Sequence, residues 1–462
     1  MGLKSVHPLF NEYLIDWTTM SDLYEGERTI KSKGRTYLPP TSGMVLDGMN
    51  NVNDLGYKNY ESYKTRAVFP DYVKEAVEIF IGLMHQEEPT IQLPAGMEYL
   101  RKKATVQGES LVSLLRRINV NQLVNGRIGL LPDVVAIQNQ PVFHVTTYPA
   151  QTIRNWHVTE EGLQVLVLDE SGYEFNEDFE WKKTEVYRVL RFLPAEEGRA
   201  AGYYTKSFNL TNNEEYDELA LQPPMVRGKL ATRIPFVVVN SKDLVFDPDE
   251  APLLPLGREV LTIYRGEADY RQNLFMQGQD TLVTIGTVLT EGDDGDDSIR
   301  TGAGSWIRMD QQGDAKYIGV TSSGLEEQRS ALENDRKRAE AKAGQLIAAK
   351  GTQAESGEAL RTRVSSQTAT LNQIAITGAA GLEQALRGIA EWSGYNPDEV
   401  RVQPNLEFTD VEVKGQDLLH FMTARTMGAP ISKKSIHTLM SKRGLTEMDY
   451  ETELGEIENE GV

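Results

Sequence analysis

Between Pro255 and Pro397 the chain contains no proline, although it holds 19 in all, and this stretch carries the longest helical signal in the sequence. Leu360, Val364, Leu371, Ile374, Gly378, Leu382, Ala385, Ile389 and Trp392 fall within about 40° of one line when wound at helical pitch. Ser356 supplies an N-cap and Pro397 lies beyond the end. The pattern predicts one helix of roughly 36 residues, about 54 Å long at 1.5 Å per residue, far above the usual three turns. A rod of this length with glycine on its stripe (Gly378, with Gly381 nearby) suits a scaffold that spans a large assembly better than a compact enzyme core. The expectation is that neighbouring copies of the chain cover the apolar stripe.

The rest of the proline-free stretch holds two further helical patterns and a β-like insertion. The first helix runs from about Leu256 to Gln277, with Val260, Tyr264, Ala268, Arg271 and Phe275 near one face. Short strands are expected at Leu282 to Leu289, Ser305 to Met309 and Lys316 to Val320, around an acidic run that includes Asp293, Asp294, Asp296 and Asp297. The next helix opens at Ser323, with Glu326 completing a capping box, and carries Leu325, Leu332, Ala339, Ala343 and Leu346 on one stripe. Lys350-Gly351-Thr352-Gln353-Ala354 interrupts the pattern before the long helix begins.

Upstream, Tyr13, Trp17, Met20 and Tyr24 share a helix face. Ile30 to Tyr57, rich in Gly, Pro, Asn and Ser, reads as a long ordered arm or a loop. Helices follow from Pro70, with Val73, Val77, Phe80, Ile81 and Met84 on one side, and from about Glu109 to Val124. After Asn125-Gly126 the period changes to two, and a β-rich unit of about 115 residues follows. Its expected strands include Arg127 to Leu131, Val142 to Thr147, Leu163 to Leu168, Glu185 to Phe192 and Phe236 to Val239. From Gly415 the tail forms short helices, Leu418 to Met427, Ser432 to Arg443 and one starting at Thr446. The fold class is α+β.

Chemistry is mostly absent from this sequence. With no cysteine there is neither a disulfide framework nor a thiolate centre. There is no P-loop, no glycine-rich dinucleotide turn and no nucleophile elbow. The six histidines (His7, His85, His144, His157, His420 and His437) are scattered, with none at a metal-ligand spacing. The Asp293 to Asp297 run departs from a calcium loop, with Ile299 where glycine belongs, and reads as a solvated turn. A metal-dependent hydrolase built on Asp293, Asp294, Asp296 and Asp297 stays as the enzymatic alternative. Neither an apolar run of 18 residues nor a signal-peptide pattern occurs, so no membrane association and synthesis in a cytosol are expected. A formal charge of −20, from 68 acidic against 48 basic residues, argues against simple coating of nucleic acid, which depends on Lys and Arg displacing counterions. Around Arg329, Arg336, Lys337, Arg338 and Lys342 the acids Glu326, Glu327, Glu333, Asp335 and Glu340 nearly cancel the charge. That leaves two readings, a helix laced with ion pairs or weak, sequence-blind contact with DNA.

Several short motifs in order resemble the tailed-bacteriophage portal protein family. They are Trp17, Tyr24-Glu25-Gly26, Lys33-Gly34-Arg35-Thr36-Tyr37-Leu38-Pro39, Thr65-Arg66-Ala67-Val68-Phe69, Gly82-Leu83, the Pro89 to Pro94 segment and Asn125-Gly126-Arg127. Glu355-Ser356-Gly357-Glu358-Ala359-Leu360-Arg361 is similar to the start of the long portal helix. The resemblance covers nearly the whole chain, least securely from Arg127 to Asn240. It implies a wing region at 1–255, a first stem helix at 256–280, a clip at 281–321, a second stem helix at 322–349, a tunnel loop at 350–355, the long wing helix and its return at 356–411, and a crown at 412–462. It further implies a virion protein assembled in the host cytoplasm as a ring of twelve at one capsid vertex. Double-stranded DNA would be packaged and ejected through the ring, which would meet a terminase motor, capsid and scaffolding proteins and a tail adaptor. Another virion adaptor or scaffold is the runner-up. No catalysis and no cofactor are expected. Twelve copies at −20 give −240, and walls that mostly repel phosphate do not trap the polymer. The tunnel loop Lys350, Gly351, Thr352, Gln353, Ala354 and Glu355 either lines the constriction, with Lys350 as a basic ring, or merely connects two helices. Arg329, Arg336, Lys337 and Lys342 are the candidate channel-facing stem charges, and the acidic run is the candidate docking tip.

Overall fold

The computed structural model describes residues 2–137, 140–196, 199–226, 229–277, 281–285, 314–318, 323–344, 357–406, 423, 427, 432–442 and 448–460. Two compact units emerge, residues 1–406 and 407–462. The first mixes helices and antiparallel sheets.

It opens with α1 (Pro8–Glu25), α2 (Glu27–Lys33), α3 (Ser42–Leu46), α4 (Leu55–Arg66) and α5 (Tyr72–Met84). Pro8 fills the first turn of α1, where its missing N–H costs nothing, and Trp17 and Met20 are buried on the expected face. The Ile30 to Tyr57 stretch differs from expectation, because α2, a 3-10 turn over Gly34–Thr36 and α3 occupy much of it. These pieces are too short to show a periodic stripe. They are held instead by side chains: buried Asp22 accepts from Lys33 Nζ at 2.7 Å and from the Tyr37 hydroxyl.

After β1 (Thr90–Gln92), α6 (Leu111–Asn125) is capped by Ser110, whose Oγ accepts from Ser113 N at 3.1 Å. The β-rich part then comprises β2 (Arg127–Ile137), β3 (Gln140–Pro149), β4 (Ile153–Thr159), β5 (Gly162–Asp169), β6 (Gly172–Phe175), β7 (Trp181–Thr184), β8 (Val186–Leu193), β9 (Gly202–Asn209), β10 (Met225–Val226), β11 (Lys229–Leu230) and β12 (Val237–Asn240). A three-stranded sheet has the order β12-β2-β3 and a four-stranded sheet the order β4-β5-β8-β9. All five expected strands are present. β4, β6, β7, β9, β10 and β11 were not among them.

The chain continues as α7 (Leu254–Gln277), β13 (Thr281–Ile285), β14 (Asp314–Ile318), α8 (Ser323–Gly344), α9 (Gly357–Ser393) and β15 (Arg401–Gln403). β13 pairs antiparallel with β14, Thr281 opposite Ile318 and Ile285 opposite Asp314. The long helix is therefore real and unbroken, at 37 residues.

Its inner part overturns one expectation. Leu371, Ile374, Leu382, Ala385, Leu386 and Ile389 are fully buried, and Leu382, Ala385, Leu386 and Ile389 share a core with Ile118 of α6, Leu130 of β2 and Val239 of β12. The glycines on the stripe explain why. A Cβ at Gly381 would lie 2.3 Å from Val239 Cγ2, and one at Gly378 would lie 2.5 Å from Asn119 Nδ2. Their missing side chains let α6 and β12 close onto α9. Along 371–392 the apolar stripe is thus covered by its own chain and needs no neighbouring copy. Leu360 and Val364 lie outside the described side chains.

In the second unit, α10 (Lys433–Lys442) and α11 (Tyr450–Glu460) are described. Ser432 caps α10, accepting from Ser435 N at 3.0 Å, and Asp449 caps α11, accepting from Thr452 N at 2.7 Å. The latter helix starts later than the Thr446 expected.

Candidate functional site

α7 and α8 run antiparallel. Glu259 faces Lys342, Glu267 faces Arg336, and Asn273 donates from Nδ2 to Gln328 Oε1 at 3.1 Å, so one helix climbs as the other descends. The seam is largely ionic. Glu259 accepts from Arg338 Nε at 3.1 Å and Lys342 Nζ at 2.6 Å, and Glu267 accepts from Arg271 Nε at 3.0 Å and from Arg336. Both glutamates are buried at 8% and 4% exposure. The bonds from Lys342 and Arg338 outweigh burial and hold the Glu259 carboxyl below its ordinary pKa. On α8, Leu332 and Ala339 are buried and most other described side chains are exposed.

The second half of α7 is bolted to the N-terminal segments. Tyr63 Oη donates to Asp269 Oδ1 at 2.6 Å, and burial with that bond pushes the phenol well above its usual range. Arg265 Nε donates to the Tyr37 carbonyl at 2.9 Å. Arg66 donates to Gln272 Oε1 and lies 4.0 Å from the Phe275 ring centre. Phe69 meets Tyr264 edge-on at 5.5 Å. Val260, Tyr264 and Ala268 are buried as the helical pattern required, whereas Arg271 and Phe275 are exposed. Toward the end of α7, Leu274, Phe275 and Met276 stand 42%, 43% and 58% exposed.

The four basic residues of α8 singled out in the sequence divide. Arg336 and Lys342 are neutralised within the chain by Glu267 and Glu259, Arg329 lies 3.8 Å from Glu333, and exposed Lys337 has no ion pair among the described residues. Asp293, Asp294, Asp296 and Asp297, and the loop from Lys350 to Glu355, lie outside the described residues. Among the described residues no group of three His, Asp or Glu could hold a metal ion, and no helix is long and apolar enough to cross a membrane.

Sequence reasoning placed Arg127 in a motif and at a strand start but gave it no role of its own. It is fully buried, its guanidinium 5.1 Å from the Trp156 ring and 5.9 Å from Trp17, with Nη2 donating to the Phe246 carbonyl at 3.2 Å. Burial lowers its pKa to about 10, against the opposing pull of Asp247 and Asp249. An arginine at the start of a strand reads as an edge charge, and nothing in the sequence marks it as the filling between two tryptophans.

Residues 252–393, from just before α7 to the end of α9, match the model of a family described as a domain of unknown function, DUF4055. No curated protein is similar to the chain. Among solved structures, it resembles the neck of a native GTA particle computed with C12 symmetry, at 14% identity and a TM-score of 0.36, covering 80% of this chain and 89% of that one. It also resembles the neck of an empty GTA particle computed with C6 symmetry, at 13% identity and a TM-score of 0.38, covering 80% and 90%. At these scores the likeness is slight.

Proposed function

We propose that this chain is the repeating subunit of a portal-type head-to-tail connector, a non-catalytic ring whose axis conducts double-stranded DNA into and out of a virion. The observation that carries this reading is where the portal-like motifs converge. Tyr37, Arg66 and Phe69, which lie in two separate motifs, all contact α7, and Trp17 and Arg127 from two others lie against each other. Motifs matched by chance have no reason to meet on the second half of one helix. The same reading makes α7 and α8 the stem, β13 and β14 the base of the clip, and α9 the wing helix.

Two further features support it. The exposed Leu274, Phe275 and Met276 at the end of α7 are apolar surface that neighbouring stems would cover. The formal −20 per subunit suits a passage that DNA traverses without adhering. In this reading residues 350–355 form the constriction, with Lys350 touching the phosphate backbone, and the acidic run at 293–297 meets basic surfaces of the motor or the adaptor.

Negative-stain imaging of the purified protein tests the proposal. Rings near twelvefold with an open axis are expected, and a population of monomers at micromolar concentration overturns it. Phosphodiester cleavage with added divalent metal, lost when the four aspartates become asparagine, would favour the hydrolase alternative instead.

A further inference from the structure

The β6–β7 hairpin is a two-stranded sheet that pairs with no other strand among the described residues. Such hairpins are marginal by themselves, yet this one carries four aromatic side chains in the open: Tyr173 at 68%, Phe175 at 50%, Phe179 at 81% and Trp181 at 66% exposure. Phe175 touches Trp181 and Phe179, at 5.1 and 5.9 Å between ring centres.

The turn is more unusual than its composition. Phe179 N donates to Asn176 O at 3.2 Å, Asn176 N donates to Glu180 O at 3.0 Å, and Glu180 N donates to Asn176 Oδ1 at 2.7 Å. This is the three-residue hairpin loop whose last position is left-handed and normally glycine. Here it is Phe179, at φ +63°. A bulky residue in that conformation is an outlier, and its exposure means the strain gains little burial within its own chain. Strained residues of this kind cluster where a contact is made.

A groove of ≈ 290 Å³ opens between the 230–237 segment and α9, with Ile234, Pro235, Phe236 and Trp392 among its lining. Small-molecule sites run from about 300 Å³ upward, so this one is of a size for an inserted aromatic anchor. At its mouth Arg233 is 67% exposed and held by an equally loose Glu391 at 3.0 Å, a pair that exchanges at little cost.

We propose that the hairpin tip docks into this groove on a second copy of the chain, with Phe179 as the inserted ring and the tip carboxylates drawing Arg233 away from Glu391. Charge selects that occupant. Glu177, Asp178 and Glu180 are exposed in the tip itself, while Lys182 and Lys183 lie further back on β7, with Lys182 opposite Glu174, so two tips facing each other would repel, and an anionic membrane surface would reject them. An acidic knob and a groove gated by a guanidinium form a heterologous pair, the kind of contact that closes a ring. The inference rests on the ring reading and names one contact that builds it.

The parent's lack of cysteine gives a clean test. Asp178→Cys and Gln384→Cys chains, the first altered beside the anchor and the second on the groove wall, are produced in one cell and oxidised after purification. A disulfide joining the two different chains is expected. No cross-link, or cross-links only between Asp178→Cys chains, overturns the contact. Imaging the parent in parallel separates the two ideas: rings without the cross-link sink the hairpin contact alone, cross-linked open chains without rings sink the ring alone, and neither product sinks both. Phe179→Gly supplies the second arm, because glycine relieves the left-handed strain. The melting temperature should stay level or rise while the protein concentration needed for half assembly rises at least about tenfold. A fall in melting temperature with unchanged assembly assigns Phe179 a purely structural role and overturns the proposal.

Discussion

The inner half of α9 and the α7–α8 pair are both long helical surfaces in contact, and they are held by opposite means. α9 from Leu371 to Trp392 is sealed by apolar side chains of its own subunit, with glycines at the points of closest approach. α8 lies on α7 through two buried carboxylates, their basic partners and a narrow apolar stripe. The contrast separates what folds the subunit from what is left for other contacts. Apolar packing at close-packed density has one solution and resists change, whereas ion pairs with half-exposed partners hold position weakly.

Mutations should rank accordingly. Leu382→Ala empties a fully buried site and should cost about 2–5 kcal/mol, read as a lowered denaturation midpoint at unchanged slope. Gly381→Ala puts a methyl 2.3 Å from Val239 Cγ2 and should cost about 1–3 kcal/mol by overpacking. If it is neutral, α9 is not as tightly seated as described. Glu267→Gln frees Arg271 and Arg336, each 44% exposed beside a carboxylate that is 5% exposed. Its cost should be about 1–2 kcal/mol, between surface and buried pairs, and hydrogen exchange should quicken in α7 and α8 but not in α9. The Glu259 carboxyl is held below its ordinary pKa of 4.5, so the folded state binds fewer protons than the unfolded one. Its contribution is complete above that value and is lost as pH falls through the folded value. Acid should therefore loosen α8 before α9, and Glu259→Gln should flatten that difference. Smallest of all, Arg329→Ala removes an exposed pair 3.8 Å long and should shift stability by less than about 0.5 kcal/mol.

The sequence was most readable where periodicity is long. The stripe from Leu360 to Trp392 located α9 to within a residue at each end, and Ser323 marked the start of α8. Short elements were lost because a five- or seven-residue helix such as α3 or α2 has no stripe to detect and is set by tertiary bonds, here Asp22 to Lys33 and Tyr37. The stripe also could not say what covers it. An apolar face looks the same whether its partner is the same chain or the next one, and only Gly378 and Gly381 hinted at close approach. On the candidate site, the charge pattern of α8 contained the ion-pair reading, but its partners Glu259 and Glu267 are some 70 to 80 residues away and beyond any local rule. The 172–184 hairpin was not anticipated, because its two strands are only four residues each and too short to show an alternating pattern.

Gly266 has an effect beyond its own position. A Cβ there would lie 3.0 Å from Leu332, so at this tight crossing of α7 and α8 one of the two helices carries no tooth. Its neighbour in the seam is Glu267, which already serves two guanidiniums. Charge rather than a run of interlocking side chains therefore sets the register of α7 on α8, so added salt should weaken that register while leaving the apolar seat of α9 untouched.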